Sequence, residues 1–439
     1  MKLIQTLLLA AAPFAVAVIA APVAAQTFAI TNGKVATVAT AEPVEGGTVL
    51  VRDGRIAAVG RNVAIPAGAT VIDAGGKWVT PGIIAGFSRL GIVEIDAVDQ
   101  TDDSSADKSP FSAALDVASS VNPRSVNIPI NRIEGLTRAV VAPTAGEAIF
   151  AGQGTIIGLG GGDDTVMRAR AFQFIELGER GANLAGGSRG AAFLNFRNGL
   201  HEAEDFARNP KGYEGGKDRD AILTRLDAAA LVPVVQGRVP AIIHVERASD
   251  ITALLDLRRE FPALKLIIVG GAEGWLVADK LAAARVPVIA TATQNLPGRF
   301  ELLAATESNV GRLVAAGVTV ALGMIDDNDT RQVRLLPQHA GNLVAMAKLP
   351  GAVGLTHAQA LASITSAPAK IFGMTDLGTL ETGKRADVVI WDGDPLELSS
   401  APVAVYIDGK PVPMTSRQTQ LRDRYLRLNP EGMPYQYKR

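Results

Sequence analysis

The stretch VPAIIHVERASDITALLDLRREFPALKLIIVGGAEGWLVADKLAAARVPVIA, Val239 to Ala290, holds three short apolar runs with amphipathic segments between them. PAIIHVE, LKLIIVGG and VPVIA are apolar on both faces, as strands covered on both sides must be. SDITALLDLRREF and EGWLVADKLAAA carry apolar residues at helical spacing. Buried strands alternating with helices mean a parallel sheet. The same rhythm extends outward to GVTVALG (Gly317–Gly323) and back to GIIAGFS (Gly82–Ser88), LTRAVVAP (Leu136–Pro143) and FQFIELG (Phe172–Gly178). So many units in series predict a closed (β/α)8 TIM barrel over 81–375, with THAQALASITSAPAKIFGM (Thr356–Met374) as the closing helix.

The flanks have a different texture. AITNGKVATV (Ala29–Val38) sets Asn32-Gly33 between apolar stretches, a hairpin signal, and TVLVRDGRIAAVG (Thr48–Gly60) repeats it with Asp53-Gly54. ATVIDAGGKWVTPG (Ala69–Gly82) reads as a strand pair around a glycine turn. Past the barrel, GTLETGKRADVVIWDGDPLE (Gly378–Glu397) and VAVYIDGKPVP (Val403–Pro413) return to strands with Asp-Gly turns. A small composite β-sandwich built from both chain ends, 26–80 and 376–415, is the expected second domain. The tail, 416–439, is expected to be a surface helix or an extended end.

At 439 residues the chain suits a large barrel plus a smaller domain. Its 43 basic and 44 acidic residues nearly cancel, which argues against a nucleic-acid or anionic-membrane surface and favours a small-molecule ligand. The first 25 residues combine Lys2, a long apolar run and Val23-Ala24-Ala25, the signature of a cleaved signal peptide. A retained membrane anchor is the alternative. The expectation is an exported protein, periplasmic or secreted, that is soluble once Gln26 is the first residue. With no cysteine, disulfides and thiolate ligands are excluded.

The segments GGKWVTPGIIAGFSRLG, VPAIIHVERASDI and GTLETGKRADVVIWDGDP together resemble the amidohydrolase superfamily, and its imidazolonepropionase-like members in particular. The resemblance covers nearly the whole chain after the leader. It implies hydrolysis of non-peptide C–N bonds, in amides or cyclic amides, by a water activated on one or two divalent ions, often zinc, at the C-terminal mouth of the barrel. A bound Zn²⁺ lowers the pKa of its water to about 7. Barrels of this kind often associate into homo-oligomers.

The ligand positions that the resemblance implies are mostly altered. Its first-strand histidine pair falls on Phe87 and Arg89; neither ligates, and the guanidinium repels a dication. Its bridging lysine falls near Phe174, with Glu176 as a carboxylate substitute. His244 stands at the strand-5 histidine. At strand 6 the second histidine is replaced by Gly270 and Gly271, with Glu273 beyond. Ile325 aligns with the strand-8 aspartate, and a one-residue bulge would bring Asp326 back, with Asp327 beside it. His201, in a helical stretch, and His357, near a helix start, read as surface positions; His339 is also in a helical stretch, which says nothing of its surroundings. The glycine-rich GQGTIIGLGGGDD (Gly152–Asp164) lacks the lysine of a phosphate loop and reads as structural.

Two readings follow. In the first, a hydrolase keeps a reduced metal site, with one divalent ion (zinc foremost) on His244, Asp326 and Glu176, Asp326 as the catalytic carboxylate and the second acidic loop residue, Asp327, as the proton acceptor. In the second, the metal is gone, and the mouth is that of a catalytically silent relative binding a small molecule or a partner. Arg89 would then recognise a carboxylate-bearing ligand.

Overall fold

The computed structural model describes residues 27–95, 97–162, 165–211, 221–325 and 330–426. The expected leader and Asp326 and Asp327 therefore lie outside the described residues. The chain opens with β1 (Thr27–Val35), β2 (Val44–Arg52), β3 (Arg55–Gly60), β4 (Thr70–Asp73) and β5 (Trp78–Pro81). Eight barrel strands follow: β6 (Ile83–Ser88), β7 (Leu136–Val141), β8 (Phe150–Gly158), β9 (Val166–Glu176), β10 (Ala241–Val245), β11 (Leu266–Gly270), β12 (Val288–Ala290) and β13 (Val320–Leu322). β14 (Val388–Trp391), β15 (Pro402–Ile407) and β16 (Lys410–Pro411) complete the sheets.

The barrel strands pair in chain order from β6 to β13. The Met324 amide donates to the Phe87 carbonyl at 3.2 Å, bringing the two ends together. The expected barrel is present with one correction: β8 runs antiparallel to both β7 and β9. Residues 142–149 are too few for the crossover that a parallel pair needs, but ample for a hairpin. β8 is the glycine-rich stretch. A Cβ on Gly154 would fall 1.9 Å from the Phe172 ring, so the glycine admits an aromatic side chain across the strand pair.

Alternation sorts each strand into two faces. Phe87, Phe172, Phe174, Ile242, Val269 and Ile289 point into the barrel and fill it. Ile175, Ile243, Val245 and Ile268 point outward and are covered by the helix layer. Since Ile242 faces inward, His244 does too, at the strand's C-terminal end.

The second domain is the expected β-domain, its strands hydrogen-bonded in the order β16-β15-β14-β5-β1-β2-β3 with β4 beside β1. Both chain ends contribute, because β14 pairs antiparallel with β5. Asp53-Gly54 and Asp408-Gly409 turn hairpins with positive φ at both residues, the geometry favoured by strand twist. Asn32-Gly33 does not. β1 runs through it with a bulge at Asn32 (φ 54°), where the strand changes partner from β4 to β5. Likewise β4 and β5 each pair with β1 and not with each other. The described part of the tail is an exposed helix, Arg417–Leu426.

Arg138 of β7 locks the two domains together. It donates to Asp387 at 2.8 and 2.9 Å and to Asp408 at 2.8 Å, with only 3% of its side chain exposed. Burial alone pushes the guanidinium pKa down; the two carboxylates outweigh that and raise it.

Candidate active site at the barrel mouth

The C-terminal ends of β9 and β10 bring three side chains into one array. His244 Nδ1 lies 2.6 Å from Glu176 Oε1, and its Nε2 lies 3.1 Å from Glu246 Oε1. β9 and β10 are in parallel register with His244 opposite Glu176, so both side chains project to the same side. Glu246, two residues beyond His244, continues that face. All three are well buried: 13% of the histidine and 6% of each glutamate side chain is exposed.

A carboxylate at each ring nitrogen favours a ring that donates from both, the imidazolium. Burial disfavours that charge, but Glu176 and then Glu246 overcome it and hold the His244 pKa well above its ordinary value.

Glycines make room for the carboxylates. Gly270, at the end of β11, has φ +90°, and a Cβ there would sit 2.6–2.8 Å from the Glu246 carboxylate. The Ala272 amide then donates to Glu246 Oε2 at 2.8 Å. Gly178, just after β9, has φ +67°, and a Cβ there would meet Glu301 Oε2 at 2.6 Å. Glu301 accepts from the Glu179 amide at 2.7 Å and stands beside Arg189 at 3.4 Å. Burial raises the Glu301 pKa; the Glu179 amide and His244 oppose the rise, and Glu246 adds to it. Glu273 instead ties loops together, accepting from the Ala248 and Ala304 amides at 3.1 Å each.

Of the residues the sequence singled out, Glu176 and His244 meet. Arg89 is buried just past β6, its amide donating to the Thr330 carbonyl at 3.0 Å, and its side chain is engaged within the fold. Asp326 lies outside the described residues. Glu246 and Glu301 were missed. Glu246 was within reach, since His-x-Glu at a strand end puts both side chains on one face; nothing local marked Glu301. His201, on the helix Arg189–Arg208, pairs with Glu260, and His357 pairs with Asp394 and stacks on Trp78, both away from the mouth.

An amidohydrolase-family model matches residues 215–413. The chain is 26% identical over 378 residues to the amidohydrolase tasK of Hapsidospora irregularis, an alignment covering 79% of this chain and 37% of that protein. It is 33% identical over 165 residues to the imidazolonepropionase of Cereibacter sphaeroides strain KD131, covering 37% of this chain and 38% of that one. The chain thus spans well under half the length of these curated relatives. A solved amidohydrolase from Thermotoga maritima MSB8 superposes with a TM-score of 0.77 at 24% identity, covering 89% of this chain and 100% of that one. The chain thus shares the fold of solved amidohydrolases and resembles amidohydrolases in sequence over residues 215–413.

The amidohydrolase superfamily is generally metal-dependent, and an adenosine deaminase from Xanthomonas campestris with bound zinc shares the fold (TM-score 0.52, 17% identity, covering 90% of this chain and 96% of that one). The described residues of this chain do not fit a two-ion centre. Phe87, where the resemblance implies the first strand-1 ligand, has its ring 5.5 Å from that of Phe174, and the implied second position is the cationic Arg89. Gly270 makes room for a carboxylate where a histidine ligand is expected. His244 has a carboxylate at each ring nitrogen, so an ion bound there would have to displace one of those contacts. Among the described residues no group of three or more His, Asp or Glu side chains is arranged to hold a metal.

Proposed function

We propose that this chain hydrolyses a non-peptide C–N bond, in an amide or cyclic amide of a small molecule, by acid–base catalysis at the barrel mouth. The observation that carries this reading is the Glu176–His244–Glu246 array. The shorter bond, to Glu176, fixes the ring; the longer one, to Glu246, is the one a substrate can displace. Glu246 then takes a proton from the attacking water as its oxygen adds to the carbonyl carbon. His244 Nε2 delivers its proton to the departing nitrogen as the C–N bond breaks. Transfer of the proton from Glu246 back to His244 restores the pair. Positioned proton transfer of this kind contributes about 10²–10⁴-fold to a rate.

The competing assignment is a single divalent ion, zinc foremost, on His244, Glu176 and Asp326, with Asp327 as proton acceptor. Elemental mass spectrometry of protein purified without chelator separates the two. About one equivalent of zinc per chain, lost with activity in His244→Ala, would replace the acid–base reading. Turnover of cyclic amides in metal-free protein, abolished by Glu246→Gln, would support it.

The alternative of binding without hydrolysis, with Arg89 as anchor for a carboxylate-bearing ligand, is the less favoured reading, since Arg89 is buried and its side chain is engaged within the fold. Absence of turnover across an amide panel, with ligand binding that weakens in Arg89→Ala, would establish it. We also propose that residues 1–25 direct export. N-terminal sequencing of protein recovered outside the cytoplasm should begin at Gln26.

A further inference from the structure

The opposite end of the barrel has a basic cavity that the hydrolysis reading leaves unused. It measures about 670 Å³, within the range of small-molecule sites. Its floor is apolar: Ala171, Leu264, Leu266, Ile267, Val286 and Phe372, all buried. Its rim carries Arg168 and Arg170 from β9, Arg238 from the approach to β10, Lys265 just before β11, and Arg258 and Arg285 from the C-terminal ends of two helices. The lining contains no acidic residue. In a chain whose charges nearly cancel, six cations have been gathered at one opening.

Most of these cations lack acidic partners. Arg170 pairs with Asp116 at 2.9 Å. Among the described residues, the other five have no carboxylate within 4 Å. Their partners are neutral: Arg168 donates to the Phe372 carbonyl at 2.6 Å, Arg238 to the Gln236 amide oxygen at 2.8 and 3.0 Å, and Arg258 to the Ala284 carbonyl at 2.8 Å. The Arg258 Nε–H is buried without an acceptor, which a folded protein rarely tolerates. Two of the arginines do have a structural task, since Arg258 and Arg285 sit where helix dipoles favour positive charge. That leaves Arg168, Arg238 and Lys265 unexplained, together with the apolar floor they surround.

We propose that this end of the barrel is a second binding site, for a small organic anion that places a phosphate or carboxylate among the cations and an apolar body on the floor. Guanidinium forks suit both head groups. The floor distinguishes such a site from a solvated basic face, which would bind a bare anion equally well.

Calorimetric titration of the full chain with phenyl phosphate, benzoate and inorganic phosphate tests this. Phenyl phosphate should bind at least about fivefold tighter than inorganic phosphate, through the area its ring buries. Benzoate binding as well as phenyl phosphate would identify a carboxylate as the preferred head group, and weaker binding a phosphate. Arg238→Glu/Lys265→Glu should weaken the better probe by about tenfold or more. Reversal of Arg61, an exposed cation of the β-domain, should change it less than about twofold. If the double reversal lowers the melting temperature, Arg238→Gln/Lys265→Gln serves in its place with a smaller loss. Equal affinity for inorganic and phenyl phosphate, no binding at millimolar probe, or indifference to the double substitution would each overturn the proposal.

Discussion

At one end of the barrel Arg138 is held between Asp387 and Asp408; at the other His244 is held between Glu176 and Glu246. Both are buried cations flanked by two carboxylates. The first cluster joins residues 249 and 270 positions apart in sequence, and so fastens barrel to β-domain. Its cation never titrates, and its three bonds are all 2.8–2.9 Å. The second joins neighbouring strand ends, its cation can give up a proton, and its two bonds are unequal. A uniform, permanent cluster suits structure; an uneven, titratable one suits chemistry.

The comparison is broken most directly at the clamp. Arg138→Met removes the charge while keeping the bulk of the side chain, and strands Asp387, which is 4% exposed. Losing one partner of a buried ion pair costs about 3–5 kcal/mol. Urea denaturation should show a loss of that size, with any hydrolysis per folded molecule unchanged. A loss below about 1 kcal/mol would mean that the clamp is only decorative. Glu246→Gln should do the reverse. Turnover falls by about 100-fold or more, while stability moves less than in the Arg138 variant, because the single glutamine oxygen can still accept from one of the two donors, the ring or the Ala272 amide, and no unpaired charge is buried. Gly270→Ala lies between. Its Cβ would press on the Glu246 carboxylate from a backbone at φ +90°, costing about 1–3 kcal/mol in strain and displacing the base. It should lower both stability and turnover, and a variant with normal turnover would remove Glu246 from the mechanism.

How far the sequence announced each cluster differs too. The strand–helix alternation of Val239–Ala290 was legible because parallel strands are apolar on both faces, and the C-terminal strands were legible from their Asp-Gly turns. β8 was hidden by the glycines that let Phe172 cross it. Asn32-Gly33 carried a hairpin signal, but β1 has partners on both sides of that dipeptide, and pairing outweighed the local turn preference. In the mouth, the parallel register of β9 and β10 joined Glu176 to His244 as strand phase allowed. Glu301 reaches Glu179 across 122 residues, and Asp387 and Asp408 reach Arg138 across twice that, contacts set only when the sheets close. Glu246 needed only the period of two counted onward from His244.

The smallest effect expected, and the most discriminating, is in pH. The Asp408 carboxyl is held below its ordinary value: burial pushes it up, but hydrogen bonds and charge from Arg385 and Arg138 prevail. A depressed folded-state pKa adds stability above the unfolded value near 3.8, and that stability disappears as pH falls through the folded value. His244 has the opposite sign. Its raised folded-state pKa adds stability that is complete below the unfolded value near 6.5 and is lost as pH climbs through the folded one. The clamp should therefore weaken in acid and the mouth in alkali. Denaturation midpoints measured from pH 3 to pH 10 should show the acid limb flattened in Asp408→Asn and the alkaline limb flattened in His244→Gln. If His244→Gln left the alkaline limb untouched, the imidazolium would not be the resting state of the mouth, and His244 would recover the lone pair that a metal requires.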